Sequence, residues 1–341
     1  MALPLRSLAT YLGRKCTVYI SHMTGNASVH GKKLLLKGET DAEQQTIDLD
    51  SIRRIVLIGR PRADADALYA FMQAGIPVDW LDIFGKPKGQ LLSLAKDSFR
   101  YPIQQQDFAA TPLALELARS ILWAKAENSA YILKKRAVLP EGWPQALALF
   151  QTATTADTLR GAEGYVANLY FSQWDKLVGQ FEWLGRHYYP ATDPINAMLS
   201  LGYSLLYNRL ASALHHVGLD ARIGFFHLTR GTHFALASDL MEPFRPIVDN
   251  TVLTIVRKRI ASPEQFSMKD DACYISDREL FSTILKKFEE MFSRSYTVYA
   301  DDNGSWVERK CSLNDHIDDL AEYYYDIMKT KTFHHDWRLS V

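Results

Sequence analysis

Up to Leu94 the apolar residues fall in short runs or at every second position, the period of a half-buried strand. Cys16–Ile20, Lys33–Leu36, Gln45–Leu49 and Arg54–Ile58 are four such runs, punctuated by Gly25-Asn26, Gly31 and Gly38. Asp64–Gln73 breaks the rhythm as a short helix stopped by Gly75, and Ile76–Leu81 restores it as a strand closed by the Gly85–Gly89 turn. From Thr111 onward the apolar spacing is that of amphipathic helices. Leu113–Arg136, Thr155–Gln180 and the strongly apolar Ala197–Leu214 are the long ones. Tyr296–Lys310 predicts a hairpin turning at Asp302-Asn303-Gly304, and Asn314–Lys329 a last helix. Between the two regimes Lys96–Ala110 is polar and holds Pro102, as a linker would. The expected fold class is α+β in two domains. A small β-rich N-terminal domain (1–95) is followed by a linker (96–110) and a larger, mainly α-helical domain (111–341) with a late β-hairpin near 296–310.

Composition narrows the function classes without choosing one. The chain has 341 residues, enough for about two domains. With 47% hydrophobic and 23% charged residues it has an ordinary globular composition. Formal net charge is zero, so any nucleic-acid footprint has to be local. Cys16, Cys273 and Cys311 are far apart and form no CxxC pair, which argues against a disulfide framework or a zinc–thiolate site and fits a reducing cytoplasm. Met1–Gly13 lacks the apolar core and cleavage site of a signal peptide, and no run of about 18 apolar residues suggests a membrane span.

The stretch around which chemistry gathers is Gly224-Phe225-Phe226-His227, followed after Gly231 by Asp239-Leu240-Met241-Glu242. Asp239 and Glu242 stand at i and i+3 and share a face if the segment is helical. Should the turn at Gly231 fold His227 onto them, imidazole plus carboxylate makes a mixed N/O set for Mn²⁺, Mg²⁺ or Zn²⁺. The plainer alternative is a histidine satisfied within an apolar core. Glu163 lies between Gly161 and Gly164 within a helix, where each glycine costs about 1 kcal/mol relative to alanine. Either a backbone or ligand approaches closely there, or two helices pack tightly and leave Glu163 exposed. Leu113–Arg136 carries Lys125, Lys134, Lys135 and Arg136, and a second basic run is Arg257-Lys258-Arg259; such faces are solvated surface or phosphate contacts. The pairs His215-His216 and His334-His335 diverge by about 100° in a helix, so capping and a frayed tail suit them better than a metal.

Read together, these blocks resemble the CRISPR-associated spacer integrases, the universal metal-dependent nuclease subunit of CRISPR adaptation. Ala74-Gly75-Ile76-Pro77-Val78 with Gly85-Lys86-Pro87-Lys88-Gly89, Ala124-Lys125 with Asn128 and Leu133, and Arg160 with Glu163-Gly164 carry the first half of the likeness. Asp193-Pro194-Ile195-Asn196-Ala197-Met198-Leu199-Ser200 with Gly202-Tyr203 is its most specific block. Gly218-Leu219-Asp220, Gly224–His227, and Asp239–Glu242 with Phe244-Arg245-Pro246 follow in the expected order. Departures are Pro190-Ala191 where two prolines are common, Thr232-His233 in place of Gly-Arg, and Ala235 in place of Ser. The resemblance implies a single Mg²⁺ or Mn²⁺ held by Glu163, His227 and Glu242, with Asp239 as an auxiliary acid beside them. It further implies a DNA endonuclease and integrase of the prokaryotic cytoplasm, which inserts spacer DNA into a CRISPR repeat by 3′-hydroxyl attack. Lys125, Lys134, Lys135, Arg136, Arg245, Arg257, Lys258 and Arg259 are the candidates for DNA phosphates. The expected partners are protospacer and repeat DNA, a second copy of the chain, and a small ferredoxin-like subunit completing a heterohexamer, with no membrane. The alternatives are a non-catalytic DNA-binding assembly subunit, or a stand-alone repair or transposon-borne nuclease of the same fold.

Overall fold

A computed structural model describes residues 15–21, 26–37, 44–93, 101–136, 138–187, 190–228, 231, 233–302, 305–332 and 339–340. The N-terminal part is built from β1 (Cys16–Ser21), β2 (Asn26–His30), β3 (Lys33–Lys37), β4 (Gln44–Asp48), β5 (Ile52–Ile58) and β6 (Arg62–Ala63). The helix α1 (Ala65–Gln73) and strands β7 (Val78–Leu81) and β8 (Pro87–Leu91) complete it. Two four-stranded sheets result, in the orders β1-β5-β7-β8 and β4-β3-β2-β6. In the first, β1, β5 and β7 run parallel and β8 antiparallel. Central β5 reads Ile-Arg-Arg-Ile-Val-Leu-Ile and is buried on both faces along most of its length, as a strand inside a covered sheet must be. Its residues divide between two cores. Ile55 and Leu57 join the N-terminal cluster, while Val56 and Ile58 join the large helical one.

Next come α2 (Pro102–Ala109), α3 (Pro112–Lys134), α4 (Trp143–Thr152), α5 (Ala156–Phe171), α6 (Pro194–His216), α7 (Ala235–Met241) and α8 (Arg245–Arg257). A β9 (Phe266–Lys269) and β10 (Ala272–Ile275) hairpin, α9 (Arg278–Ser293), the long β11 (Ser295–Asp302) and β12 (Ser305–Ser312) hairpin, α10 (Leu313–Thr330) and β13 (Leu339–Ser340) end it. The α+β division expected from the sequence is the one observed. Helix α6 is its axis. Seventeen of its residues are buried, and α7, α8 and α10 pack on it. Gly202 makes one of these contacts possible, since a Cβ there would lie 2.5 Å from Val248 and 2.6 Å from Phe288.

Several boundaries differ from the sequence expectation. Half of the polar 96–110 stretch is helix α2, started by Pro102 and secured by Phe108 and Gln105, both buried. The predicted helix over 155–180 stops at Phe171, and Trp174–Lys176 continues as a 3₁₀ turn around the buried Trp174. Helices α4 and α9 have no counterpart in the expectation. The turn residues Asn303 and Gly304, Gly25, Gly38, Thr232 and the pair His334-His335 lie outside the described residues.

The sheet is fixed to the helices by hydrogen bonds between buried charges of one part and hydroxyls of the other. Arg54 on β5 meets Asp79 on β7 at 2.7 Å and donates to Ser212 of α6 at 3.0 Å. Arg209 of α6 pairs with Glu289 of α9, and that carboxylate also accepts from Tyr19 of β1 at 2.6 Å. Among the described residues no helix is long and apolar enough to cross a membrane.

Candidate metal centre

Six helical segments, the loop of Arg186 and one turn-rich strip converge on a cavity of about 170 Å³ lined by Lys125, Glu163, His227, Glu242 and Arg245, among others. Helix α3 brings Lys125. One turn later, Asn128 donates to the carbonyl of Pro243 at 2.9 Å, fixing the turn that carries Glu242. Helix α5 brings Glu163. One turn earlier, Arg160 donates to the carbonyl of Phe226 at 3.0 Å, fixing the strip that carries His227. A helix places residues three apart on one face, so one of each pair secures a neighbour while the other enters the cavity.

Asp239 and Glu242 both act on His227, but with different tasks. Pro243 follows α7, and residues Glu242–Phe244 form a 3₁₀ turn before α8 starts. Asp239 turns to the 224–228 strip. Its Oδ2 accepts from the backbone N–H groups of Phe225 (2.7 Å) and Phe226 (3.1 Å). Its Oδ1 accepts from the backbone N–H of His227 (2.8 Å) and faces His227 Nδ1 at 2.7 Å. Gly224 leaves the room for this, because a Cβ there would lie 2.7 Å from Asp239 Oδ2. With Nδ1 carrying its proton toward the carboxylate, Nε2 holds the lone pair that a metal takes. Burial lowers the pKa of His227, but the Asp239 hydrogen bond and the charges of Glu242 and Asp239 outweigh it, and the net shift is upward.

Glu242 is 3% exposed and Glu163 half-buried. Lys125 Nζ stands between them, donating to Glu163 Oε1 at 2.5 Å and lying 2.7 Å from Glu242 Oε2. Arg245 donates to Glu242 Oε1 at 2.8 Å. Burial pushes the Glu242 carboxyl up, yet Arg245, Lys125 and His227 together bring it down to about 2. Glu242 Oε2 is buried, and the Lys125 ammonium at 2.7 Å is the cation it meets. Two carboxylates gathered around one positive charge and an imidazole presenting Nε2 form a donor set that fits a hard or borderline divalent ion. In the present geometry, among the described residues, the three donor groups are not yet within 4.8 Å of one another as a set, and the ammonium of Lys125 occupies the gap.

The glycines beside Glu163 do not mark tight helix packing. A Cβ at Gly161 or Gly164 would meet nothing within 4 Å, so that face of α5 is open to an approaching ligand. Of the expected DNA cations, Lys125 and Arg245 point into the acid cavity, and Arg136 donates to Asn250 at 2.8 Å. Lys134, Lys135, Arg257, Lys258 and Arg259 are exposed at the ends of α3 and α8, which pack together. Burial and then the charge of Arg257, only partly offset by Tyr170, lower the pKa of Arg136, so these cations feel one another. The sequence reading missed Arg186 and Asp249, both lining the cavity. Arg186 sits in a loop without periodicity, and Asp249 is one acid within an otherwise ordinary amphipathic helix. A larger cleft of about 810 Å³ adjoins the cavity through Arg186, Tyr203 and Arg245. Lys86 and Lys88 from the N-terminal turn, Arg222, Tyr207 and Phe234 also line it, and among the described residues no carboxylate does.

Fold and site together define a two-lobed α+β protein with a carboxylate–histidine pocket on its helical lobe. A sequence model of the family described as CRISPR associated protein Cas1 matches residues 18–290, and the chain belongs to that family. It is 32% identical to a protein of Thermus thermophilus named CRISPR-associated endonuclease Cas1 1, over 80% of this chain and 86% of that one. It is 28% identical to the CRISPR-associated endonuclease Cas1 of Mycobacterium tuberculosis, covering 84% and 87% of the two chains. Among solved structures, a Cas1 protein from Thermotoga maritima superposes with a TM-score of 0.77 at 22% identity, covering 94% of this chain and 99% of that one. A casposase bound to its integration product superposes with a TM-score of 0.79 at 23% identity, over 94% and 92%. These two likenesses establish the fold.

Proposed function

We propose that this chain is a metal-dependent DNA endonuclease and integrase of CRISPR adaptation, which joins the 3′-hydroxyl of a spacer DNA to a phosphodiester of the repeat. The observation that carries it is the meeting of Glu163, His227 and Glu242 on one cavity that opens into a cleft lined by cations and aromatic rings. Glu163, Glu242 and His227 Nε2 would hold one Mg²⁺ or Mn²⁺, with Asp239 fixing the tautomer and direction of His227. When bound, such an ion stabilises charge on the phosphoryl and leaving oxygens and orients the attacking hydroxyl. Arg245 holds Glu242 Oε1, which leaves Oε2 for the ion. Lys86, Lys88, Arg186 and Arg222 suit successive phosphates, and Tyr207 with Phe234, whose rings stack with centroids 5.6 Å apart, suits a base. The nucleophile comes from DNA, so the chain needs no serine or cysteine of its own. The Cas1 relatives named endonucleases and the fold shared with a Cas6-RT-Cas1–Cas2 complex, at a TM-score of 0.77, support this reading. The Cas2 named in that complex is the precedent for the second subunit we propose, with DNA bound and the chain a homodimer within a heterohexamer.

The test is a half-site integration assay with the partner subunit, repeat DNA and Mg²⁺ or Mn²⁺. Glu163→Ala, His227→Ala and Glu242→Ala each abolish strand joining while circular dichroism and oligomer size stay unchanged. Wild-type joining by all three variants overturns the assignment. Intact DNA binding without cleavage of a branched DNA by the wild-type protein points instead to a non-catalytic assembly subunit.

A further inference from the structure

We propose that Cys311, His316 and Asp319 form a second metal site that takes a thiophilic divalent ion, zinc before others. Their Sγ, ring-nitrogen and carboxylate-oxygen donors already lie within 4.8 Å of one another. A tetrahedral zinc with bonds of about 2.0–2.3 Å separates its ligands by about 3.5 Å, so closing the set takes rotamer adjustment and not backbone movement.

The local fold explains why the three meet. Cys311 is the next-to-last residue of β12, paired across the hairpin with Tyr296, and it is buried and joined in no disulfide. Ser312 then caps α10, its hydroxyl accepting from the Asp315 backbone N–H at 3.1 Å. The strand therefore delivers the thiol directly over the first turns of that helix. His316 and Asp319, at i and i+3, present their heads on one face of it. His316 is also held edge-on against the ring of Phe244, centroids 5.5 Å apart. Thiolate, imidazole and carboxylate with one position left for water make a mixed S/N/O set, which zinc accepts and Mg²⁺ or Mn²⁺ does not favour. The thiol releases its proton to solvent as the metal–sulfur bond forms.

The sequence conceals this site because its signature is one cysteine followed by a histidine and an aspartate within a helix, with no CxxC pair. Its position gives it a task. The ion would staple the end of the β11–β12 hairpin to α10, and α10 packs on α6 at the centre of the helical lobe. Through His316 and Phe244 it would also brace the turn bearing Glu242. The site shares no ligand with the cavity around Glu163, so its test is independent of that assignment.

Co²⁺ is the probe, titrated into metal-free full-length protein carrying Glu163→Ala and Glu242→Ala to silence the other site. About one equivalent should bind with a sulfur-to-cobalt charge-transfer band and tetrahedral visible bands, and zinc should displace it. Cys311→Ser should remove the charge-transfer band. His316→Gln and Asp319→Asn, which keep the thiol and spare the buried strand, should each weaken binding at least about tenfold. Zinc should raise the thermal midpoint of the parent protein and not of Cys311→Ser. The proposal is overturned if no charge-transfer band develops, if the band survives Cys311→Ser, or if both helix variants bind cobalt like the parent.

Discussion

Asp239→Asn is the most informative single change at the pocket, because the structure dictates which way the new amide must turn. The aspartate accepts three backbone N–H groups and faces His227 Nδ1, with two contacts on each oxygen. If the amide nitrogen takes the Oδ2 place, the N–H groups of Phe225 and Phe226 both lose their acceptor. If it takes the Oδ1 place, only the N–H of His227 is orphaned, provided the imidazole moves its proton to Nε2 and accepts at Nδ1. A buried donor without a partner costs about 1–3 kcal/mol, so the second arrangement wins by about that much. Losing the charge from the remaining bonds adds about 1 kcal/mol each, and the total destabilisation is about 4 kcal/mol. The winning arrangement also puts a proton on the nitrogen that a metal would need. Mn²⁺ affinity should therefore fall about 10–100-fold, with strand joining falling alongside. Urea denaturation measures the first effect and calorimetric Mn²⁺ titration the second. Wild-type Mn²⁺ affinity in a variant that has lost stability would show that Asp239 secures the strip without setting the histidine, and the reasoning fails. Unchanged stability would refute the whole account of Asp239.

The same geometry sets other expectations. Lys125→Met removes the ammonium between Glu163 and Glu242, so the metal-free protein should lose about 3 kcal/mol through uncompensated buried charge. Added Mn²⁺ should raise its thermal midpoint more than it raises that of the wild type; an equal rise would show that Lys125 does not compete for those oxygens. Burial raises the Asp249 carboxyl from 3.8 to about 6 despite the Tyr203 hydroxyl that donates to it and the charges of Arg186 and Arg245. A raised carboxyl favours the native state while protonated, so its contribution is complete below about pH 4 and lost as pH climbs through about 6, a decline of about 3 kcal/mol. Asp249→Asn should flatten that decline in denaturation curves taken across this window, and an unchanged slope would remove Asp249 as its cause. Gly224→Ala should behave like Asp239→Asn in stability, since its methyl would displace Oδ2; a fully stable, Mn²⁺-binding variant would show that the strip yields easily.

How far the sequence discloses this site depends on the kind of information each residue carries. The division into a strand-rich and a helical part was legible, because period-two and helical spacing survive in any context. The parallel pairing of β1 with β5 was not, since strand order depends on contacts remote in the chain. His227, Glu163 and Glu242 could be named from blocks of residues and their order, yet the function of each neighbour depended on orientation. Asp239 reads as a partner of Glu242 by spacing, and both do act on His227. Only the fold shows that Asp239 also accepts three backbone N–H groups of the strip while Glu242 meets Lys125 and Arg245. Lys125 reads as one of several cations on a solvated face, and only the tertiary fold shows it turned into two acids. Helix α9 carried a clear signal that the reading passed over: Asp277 caps it, and Leu280, Ile284, Leu285, Phe288, Met291 and Phe292 line one face.

The buried contacts of Arg54 and Arg209 bear on how such a molecule works inside a larger assembly. Arg54 pairs with Asp79 within the strand-rich lobe and donates across the junction to Ser212. Arg209 pairs with Glu289 within the helical lobe, and that carboxylate accepts across the junction from Tyr19. A hinge there would leave buried polar groups without partners. The strands and the pocket therefore travel as one body. Whatever grips the N-terminal sheet also aims the pocket, and the distance between two pockets in a symmetric complex becomes a property of the docking surface. In the assembly proposed above, such a ruler would measure DNA without reading a single base.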